Sequence, residues 1–217
     1  MAIICGVEEA GRGPVIGPMV MAAVTMDEKN IHKLENLGVK DSKLLTPLQR
    51  ENMFEKIKSI VKSHEILILF PEKVDDALTS DDLNLNWLEA ITSAELIDKL
   101  KPDKAILDCP SNNVKAYKEY VINKLKHKAE IIAEHKADLN YPIVGAASIL
   151  AKVTRDAEVK KLRDEIGIDF GSGYPSDPKT IKFLKENWNK YPHIFRKTWA
   201  SYKKVAESKD QKALDEF

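Results

Sequence analysis

Cysteine is scarce in this chain of 217 residues, since only Cys5 and Cys109 occur. Two cysteines are too few for a disulfide framework, which excludes the small disulfide-stapled secreted folds. A chain of this length can bury a core large enough to fold without such staples. We therefore expect a cytoplasmic protein in which both cysteines are buried free thiols.

Long apolar runs are missing as well. No stretch approaches the roughly 18 uninterrupted apolar residues of a membrane-spanning helix, so the sequence predicts none. Residues 1–8 have no basic segment ahead of an apolar one, so they do not match a secretory signal. The hydrophobic fraction of 43% and the charged fraction of 31% also exclude a disordered chain.

The net charge of the whole chain is zero, but the N-terminal and C-terminal parts carry opposite net charges. The chain holds 34 basic and 34 acidic residues, yet residues 1–100 carry a net charge of −6 and residues 101–217 a net charge of +6. A basic C-terminal half is suited to a nucleic-acid partner. Lysines that merely keep helix surfaces soluble would give the same count, so charge alone does not choose between the two readings.

Apolar patterning indicates a mixed α/β fold. Five short apolar runs predict strands at 3–7, 19–26, 65–70, 105–108 and 129–133. Helical spacing predicts helices at 48–62, 74–100 with a break near 79–82, 114–128, 144–162 and across most of 180–207. Two early strands followed by alternating strands and helices favour a layered α/β structure with a helical C-terminal portion.

Acidic residues stand where the predicted strands end. Glu8 and Glu9 close the first strand, Asp108 closes the fourth, and Asp138 follows the fifth. Burying a lone carboxylate is costly, and a divalent cation that takes oxygen ligands removes that cost. Such a cluster fits two-metal phosphoryl transfer, in which cations about 3.5–4 Å apart hold the attacking and leaving oxygens. Acids at solvated strand ends with no further role are the alternative.

Five motifs, in order along the chain, resemble the signature of type 2 ribonuclease H in its archaeal form. The first differs from the family pattern G-[IV]-D-E-A-G-R-G-P at one position, where this chain has Glu8 in place of aspartate. The similarity covers about residues 3–200. The motifs are GVEEAGRGP at 6–14, KDSK at 40–43, Asp108 with PSN at 110–112, EHKAD at 134–138 with AASILAK at 146–152, and GSGYPSD at 171–177.

The resemblance implies an RNase H-like fold, a five-stranded mixed sheet flanked by helices with a helical C-terminal segment. It divides the chain into a catalytic domain at 1–166 and a segment at 167–207 that holds the tyrosine loop and packs on that domain. Residues 208–217 would form a flexible tail. We expect a monomer.

The activity implied is metal-dependent endonucleolytic cleavage of RNA in RNA–DNA hybrids and of single ribonucleotides in duplex DNA, using Mg²⁺ or Mn²⁺. Cleavage on the 5′ side of the ribonucleotide would leave 3′-hydroxyl and 5′-phosphate ends. Two alternatives stay open. One is a protein that only binds hybrids or a clamp, because Glu8 weakens its own metal site. The other is a different nuclease of the same fold, such as a resolvase or integrase.

The resemblance also assigns residues. Glycines let backbone groups approach a sugar closely, and a tyrosine hydroxyl can bond the 2′-hydroxyl that distinguishes RNA. Arg196 and Trp199 resemble a further family feature, and we expect Trp199 to pack. The metal ligands would be Glu8, Glu9, Asp108 and Asp138; the sugar contacts Gly11, Arg12, Gly13 and Tyr174; and the phosphate contacts Ser42, Lys43, Lys152 and Arg155.

The C-terminal residues 211–217 read QKALDEF. Gln211, Leu214 and Phe217 resemble the motif by which replication proteins dock on a sliding clamp. A helical turn would place Leu214 and Phe217 on one face as anchors for an apolar groove. A frayed helix end without a partner is the alternative.

Restoring the family aspartate tests the effect of Glu8. Glutamate moves the carboxylate outward by about one carbon–carbon bond, and Mg²⁺ demands near-ideal octahedral geometry. We expect metal binding to persist with Glu8, but catalysis to be weaker or its metal preference to be shifted toward Mn²⁺. Glu8→Asp should therefore cleave faster with Mg²⁺ in a hybrid cleavage assay. A rate no higher than that of the unchanged chain would show that Glu8 does not impair the site.

Overall fold

The computed structural model describes residues 2–39 and 45–215, with side chains described as far as residue 208. Short 3₁₀ turns occur at Glu28–Asn30 and Pro192–Ile194. The strands are β1 (Ile3–Ala10), β2 (Met19–Asp27), β3 (Ser63–Leu69), β4 (Lys104–Asp108) and β5 (Glu130–Glu134). The helices are α1 (His32–Leu37), α2 (Pro47–Ile60), α3 (Pro71–Thr79), α4 (Leu85–Leu100), α5 (Val114–Lys124), α6 (Ala137–Asn140), α7 (Pro142–Ile166), α8 (Pro178–Asn187) and α9 (Ala200–Asp215).

The five strands form one mixed sheet in the order β3-β2-β1-β4-β5. β1 is antiparallel to β2 and parallel to β4, and β4 is parallel to β5. Antiparallel neighbours need only a short connection, which is why β1 and β2 follow each other directly, whereas the parallel neighbours are joined through helices. The predicted five-stranded mixed sheet with flanking helices is confirmed.

The chain packs into two compact units. The first comprises Met1–Ala10, Val20–Ile68 and Asn84–Arg155, and the second comprises Gly11–Met19, Leu69–Leu83 and Asp156–Phe217. In the first unit, apolar residues of the sheet pack against the small residues that begin α7, among them Ala146 and Ala147. In the second unit the core is aromatic, with the Phe183 ring 5.6 Å from Phe170 and 6.0 Å from Phe195.

Local sequence signals account for several element boundaries. Thr46 begins α2 with a capping box, in which its hydroxyl accepts from Gln49 N at 3.3 Å and Gln49 Oε1 accepts from Thr46 N at 2.8 Å. The predicted break between α3 and α4 is confirmed, and Asn84 caps α4 by accepting from Trp87 N. β1 runs past Glu8 and Glu9 to Ala10, because antiparallel pairing with Val20 continues that far.

The sequence analysis missed two short helices and one interruption. α1 and α6 have six and four residues, too short for a periodic apolar pattern to reveal them. The expected helical stretch at 180–207 is divided into α8 and α9. Pro192 lies between them and begins a 3₁₀ turn, since proline cannot continue an α-helical hydrogen-bond ladder.

Within the described part of the chain, no helix is both long enough and apolar enough to cross a membrane.

Gly6 marks a very close approach between β1 and the start of α7. A Cβ atom at this position would collide with backbone atoms of Ile143 and would lie 2.5 Å from Val144 N. Backbone on both sides cannot move away as the end of a flexible side chain could. Only glycine therefore permits α7 to begin this close to β1.

Gly6→Ala should consequently destabilise the protein by about 3 kcal/mol, the upper range for forcing atoms into a packed interior. Gly38→Ala is the control, because Gly38 has a positive φ of 71° but no neighbour among the described residues within 4 Å of an added Cβ. It should lose only about 1 kcal/mol from backbone strain. Chemical denaturation of both variants measures the difference, and equal losses would contradict the collision at Gly6.

Candidate active site

Glu8 and Asp108 meet because their strands are parallel neighbours. The register pairs Val7 of β1 with Leu107 of β4, so the next residue of each strand carries its acid to the same edge of the sheet. Asp108 also pairs in register with Glu134 of β5. The predicted convergence of Glu8 and Asp108 is confirmed.

Asp138 is brought to this edge by α6. The chain leaves β5 through Lys136, whose φ of 58° is left-handed, and turns at once into the short helix. Ala137 N then donates to Asp108 Oδ1 at 2.7 Å, which ties the start of α6 to the end of β4. This hydrogen bond orients Asp108 and places Asp138, the next residue along, beside it.

Three of the four predicted metal-site acids form a compact group. Glu8, Asp108 and Asp138 each offer a carboxylate oxygen, and these oxygens all lie within 4.8 Å of one another. Glu8 and Asp138 are buried, with 8% and 7% of their surface exposed. Glu9 is not part of this group, but its side chain still interacts with that of Glu8, whose pKa is raised first by burial and then by the charge of Glu9. The backbone N of Glu9 also donates to Glu8 Oε1 at 3.1 Å.

The surroundings of Glu8 disfavour its ionised form. Burial raises the pKa of Glu8 well above its usual range, and the charges of Glu9 and Asp108 raise it further. Glu8 Oε2 is buried and has no hydrogen-bond partner among the described residues. Clustered carboxylate oxygens, one of them unsatisfied, fit a hard divalent cation. Glu8, Asp108 and Asp138 could hold such an ion.

The predicted sugar-contacting residues belong to the second unit and lie together there. Val15 N and Ile16 N both donate to Gly173 O, at 2.8 and 3.3 Å. These bonds join the Gly-rich turn (residues 11–18) to the tyrosine loop (residues 171–177). A Cβ on Gly13 would lie 3.4 Å from a ring carbon of Tyr174. Tyr174 is 39% exposed, which fits a loop residue that is available to a ligand and not a core aromatic.

The predicted phosphate contacts are distributed differently. Lys152 is half-buried on α7, and Arg155 on the same helix has only 4% of its surface exposed. Ser42 and Lys43 lie outside the described residues. The phosphate role of these four residues remains a prediction.

The predicted clamp motif lies at the edge of the described chain. α9 continues to Asp215, so the backbone at Gln211 and Leu214 is helical, but their side chains lie outside the described part. Phe217 lies outside it altogether.

The sequence analysis overlooked Glu134, which braces α6. Its carboxylate accepts from Asn140 Nδ2 at 2.8 Å and from the Tyr141 hydroxyl at 3.3 Å. The available signal was that polar Asn140 and Tyr141 follow Glu134 by six and seven residues, close enough for a single turn to bring them together. His135 Nδ1 lies 2.9 Å from the carbonyl oxygen of Cys109.

Glu89 is a second acid that was overlooked. It is buried on α4, and its charge adds to the raised pKa values of Cys109 and Tyr117, of which burial is the main cause. A single glutamate among the apolar residues of the first turns of α4 was the signal that could have revealed it. Both cysteines are buried free thiols, as predicted.

A cluster of buried carboxylates at the edge of a mixed sheet is typical of metal-dependent phosphoryl-transfer enzymes. The family model described as Ribonuclease HII matches residues 5–202 of the chain. A Ribonuclease HII from Pyrococcus furiosus is 48% identical over 221 aligned residues, which cover 99% of this chain and 97% of the relative.

Two solved structures extend the comparison. Ribonuclease H2 from Pyrococcus horikoshii superposes with a TM-score of 0.88 at 44% identity, covering 95% of this chain and 98% of the other. The RNase HII of a PCNA complex from Archaeoglobus fulgidus gives 0.83 at 39% identity, covering 91% and 95%. The chain belongs to the ribonuclease HII family. It is a hydrolytic endonuclease of the ribonuclease H class, and enzymes of this class depend on divalent metal ions.

Neutralising Glu8 should stabilise the metal-free protein at neutral and higher pH. Because its folded-state pKa is raised, ionised Glu8 opposes folding: this penalty is absent below the ordinary glutamate pKa, grows as the pH rises from there to the folded-state pKa, and is complete above it. Glu8→Gln should therefore gain at least about 1 kcal/mol over the unchanged chain at about pH 8 in the presence of a chelator. The gain should vanish near about pH 4.

Glu119→Gln is the matched control, because Glu119 is exposed on α5 and should change stability little at either pH. Thermal unfolding across the pH range measures all three proteins. If Glu8→Gln is no more stable than the unchanged chain at the higher pH, the repulsion within the cluster is not as described.

Proposed function

We propose that this enzyme cleaves the RNA strand of RNA–DNA hybrids and single ribonucleotides embedded in duplex DNA, acting as a monomer. It cuts on the 5′ side of the ribonucleotide and leaves 3′-hydroxyl and 5′-phosphate ends. The observation that carries the proposal is the group formed by Glu8, Asp108 and Asp138 in a chain of the ribonuclease HII family.

The proposed cofactor is Mg²⁺ or Mn²⁺, held by Glu8, Asp108 and Asp138 together with Glu9. When bound, such an ion stabilises charge on the phosphate and makes a bound water a better nucleophile. The chain's own part is to keep the carboxylates in place. Ala137 N fixes Asp108 by a hydrogen bond, and Glu9 N does the same for Glu8.

Sugar selection is proposed for Gly11, Arg12, Gly13 and Tyr174. A protein can distinguish one ribonucleotide within DNA only by its 2′-hydroxyl. The exposed Gly13 lets backbone groups approach a sugar, and the Tyr174 ring beside it offers a hydroxyl and a stacking face. Phosphate contacts through Ser42, Lys43, Lys152 and Arg155 would add affinity without reading sequence.

Mapping the cleavage site on a duplex with one ribonucleotide tests the proposed function. With Mg²⁺ or Mn²⁺, we expect a single cut on the 5′ side of the ribonucleotide and no cut in the matched all-DNA duplex. Asp108→Asn should reduce the rate at least about a hundredfold, because it removes one charge from the cluster. Binding without any cleavage in either metal would favour the alternative of a hybrid binder weakened by Glu8, and cleavage of all-DNA junctions would favour another nuclease.

A clamp partner is proposed for the tail. The Archaeoglobus fulgidus relative was solved as a complex with PCNA, and Gln211, Leu214 and Phe217 match the spacing of a clamp-docking motif. The backbone is helical at Gln211 and Leu214, which supports a helical turn in this motif.

Deleting residues 211–217 should abolish clamp binding, measured by calorimetry with an archaeal sliding clamp, while cleavage of a short hybrid stays within about twofold of the full chain. The double variant Leu214→Ala with Phe217→Ala should reproduce the loss, because it removes only the apolar anchors. Clamp binding by the truncated chain at full affinity would end the proposal.

A further inference from the structure

Arg196 is the largest fully buried side chain among the described residues. It donates to the backbone of the Gly-rich turn. Its Nη2 donates to Gly11 O at 2.6 Å, its Nη1 to Arg12 O at 2.9 Å, and its Nε to Gly17 O at 3.1 Å. The guanidinium presents its donors in a rigid planar fork, so three bonds at once fix the positions of three carbonyls relative to one another.

Trp199, three residues after Arg196, also contacts the Gly-rich turn. The Arg196 guanidinium lies 4.8 Å from the centre of a Trp199 ring, within cation–π distance. The indole Nε1 donates to Gly13 O at 3.1 Å. The three consecutive carbonyls of the turn, at residues 11, 12 and 13, thus each accept a hydrogen bond from Arg196 or Trp199.

These bonds determine where the N–H groups of the turn point. Across a trans peptide bond the carbonyl and the following N–H point in opposite directions, and the described chain has no cis peptide. Holding the carbonyls of Gly11 and Arg12 toward Arg196 turns the N–H groups of Arg12 and Gly13 away from it. The turn also meets the tyrosine loop, since Val15 N donates to Gly173 O and Gly13 lies beside the Tyr174 ring.

We propose that Arg196 and Trp199 are positioning residues that set the discrimination between ribose and deoxyribose, by holding the peptide planes of residues 11–13 beside Tyr174. Neither side chain is itself required to touch the substrate. The inference rests on the proposed function, in which this turn and Tyr174 contact the sugar. A merely structural role would affect stability but would leave the choice between sugars unchanged.

The test measures binding in the presence of a chelator, so that no cleavage occurs. Two duplexes that differ by one 2′-hydroxyl are compared, one with a single ribonucleotide and one all DNA, and the ratio of their dissociation constants is the readout. The variants are Arg196→Lys, which keeps the charge but loses the fork, and Trp199→Phe, which keeps a ring but loses the bond to Gly13. Trp188→Phe is the matched control, because Trp188 lies in the same unit and packs edge-on against Tyr202 at 6.4 Å.

The unchanged chain should favour the ribonucleotide duplex. Trp199→Phe should reduce that preference about fivefold, the effect of one hydrogen bond, and Arg196→Lys at least about tenfold. Affinity for the all-DNA duplex should stay within about twofold, because phosphate contacts supply it. Trp188→Phe should keep the full preference. Thermal unfolding confirms that each variant is folded, and should Arg196→Lys not fold, Trp199→Phe carries the test.

The outcomes distinguish failure of the proposed sugar recognition from failure of the positioning role of Arg196 and Trp199. If the unchanged chain binds both duplexes equally, the proposed sugar recognition fails, and the inference fails with it. If the unchanged chain discriminates but both variants keep its preference, only the inference is overturned. It is also overturned if Trp188→Phe loses the preference equally, or if the affinities for the two duplexes fall in parallel.

Discussion

Electrostatic repulsion among carboxylates is the main constraint on the first unit. Three acids offer oxygens within 4.8 Å of one another, and burial makes ionisation of Glu8 costly. Mostly backbone interactions hold them there. β1 pairs in parallel with β4, Ala137 N donates to Asp108, and the start of α7 packs directly against Gly6. In the proposed metal site a divalent cation would offset this repulsion, so affinity for metal and instability without it would have the same origin.

The second unit follows a different principle. A glycine-rich turn has little conformational preference of its own, because glycine lacks the Cβ that restricts the backbone. Its shape is imposed from outside: the Arg196 and Trp199 side chains donate to its carbonyls, and the carbonyl of Gly173 in the tyrosine loop accepts from Val15 N and Ile16 N. Glycine thus leaves the backbone accessible, and the hydrogen bonds from a buried arginine and a tryptophan fix its conformation.

Much of this protein could be anticipated along the chain. Alternating strands and helices, the break before Asn84, the capping residues of α2 and the acids at strand ends all reflect interactions between residues a few positions apart. The short helices α1 and α6 escaped notice because four to six residues carry too little periodic signal, and α6 forms where Glu134 and Asp108 hold its ends. The division of the C-terminal helical stretch at Pro192 is a local effect that could have been foreseen.

The amino-acid sequence by itself determined the family, the sheet content and the identity of the acids, because motifs and periodicity are properties of neighbouring residues. Only the tertiary structure decided which carboxylates meet. Strand pairing placed Glu8 beside Asp108, and the turn into α6 added Asp138 to the group. It also decided that Arg196, about 180 residues from Gly11 along the chain, is bonded to it, since such contacts arise from packing and leave no local pattern to read.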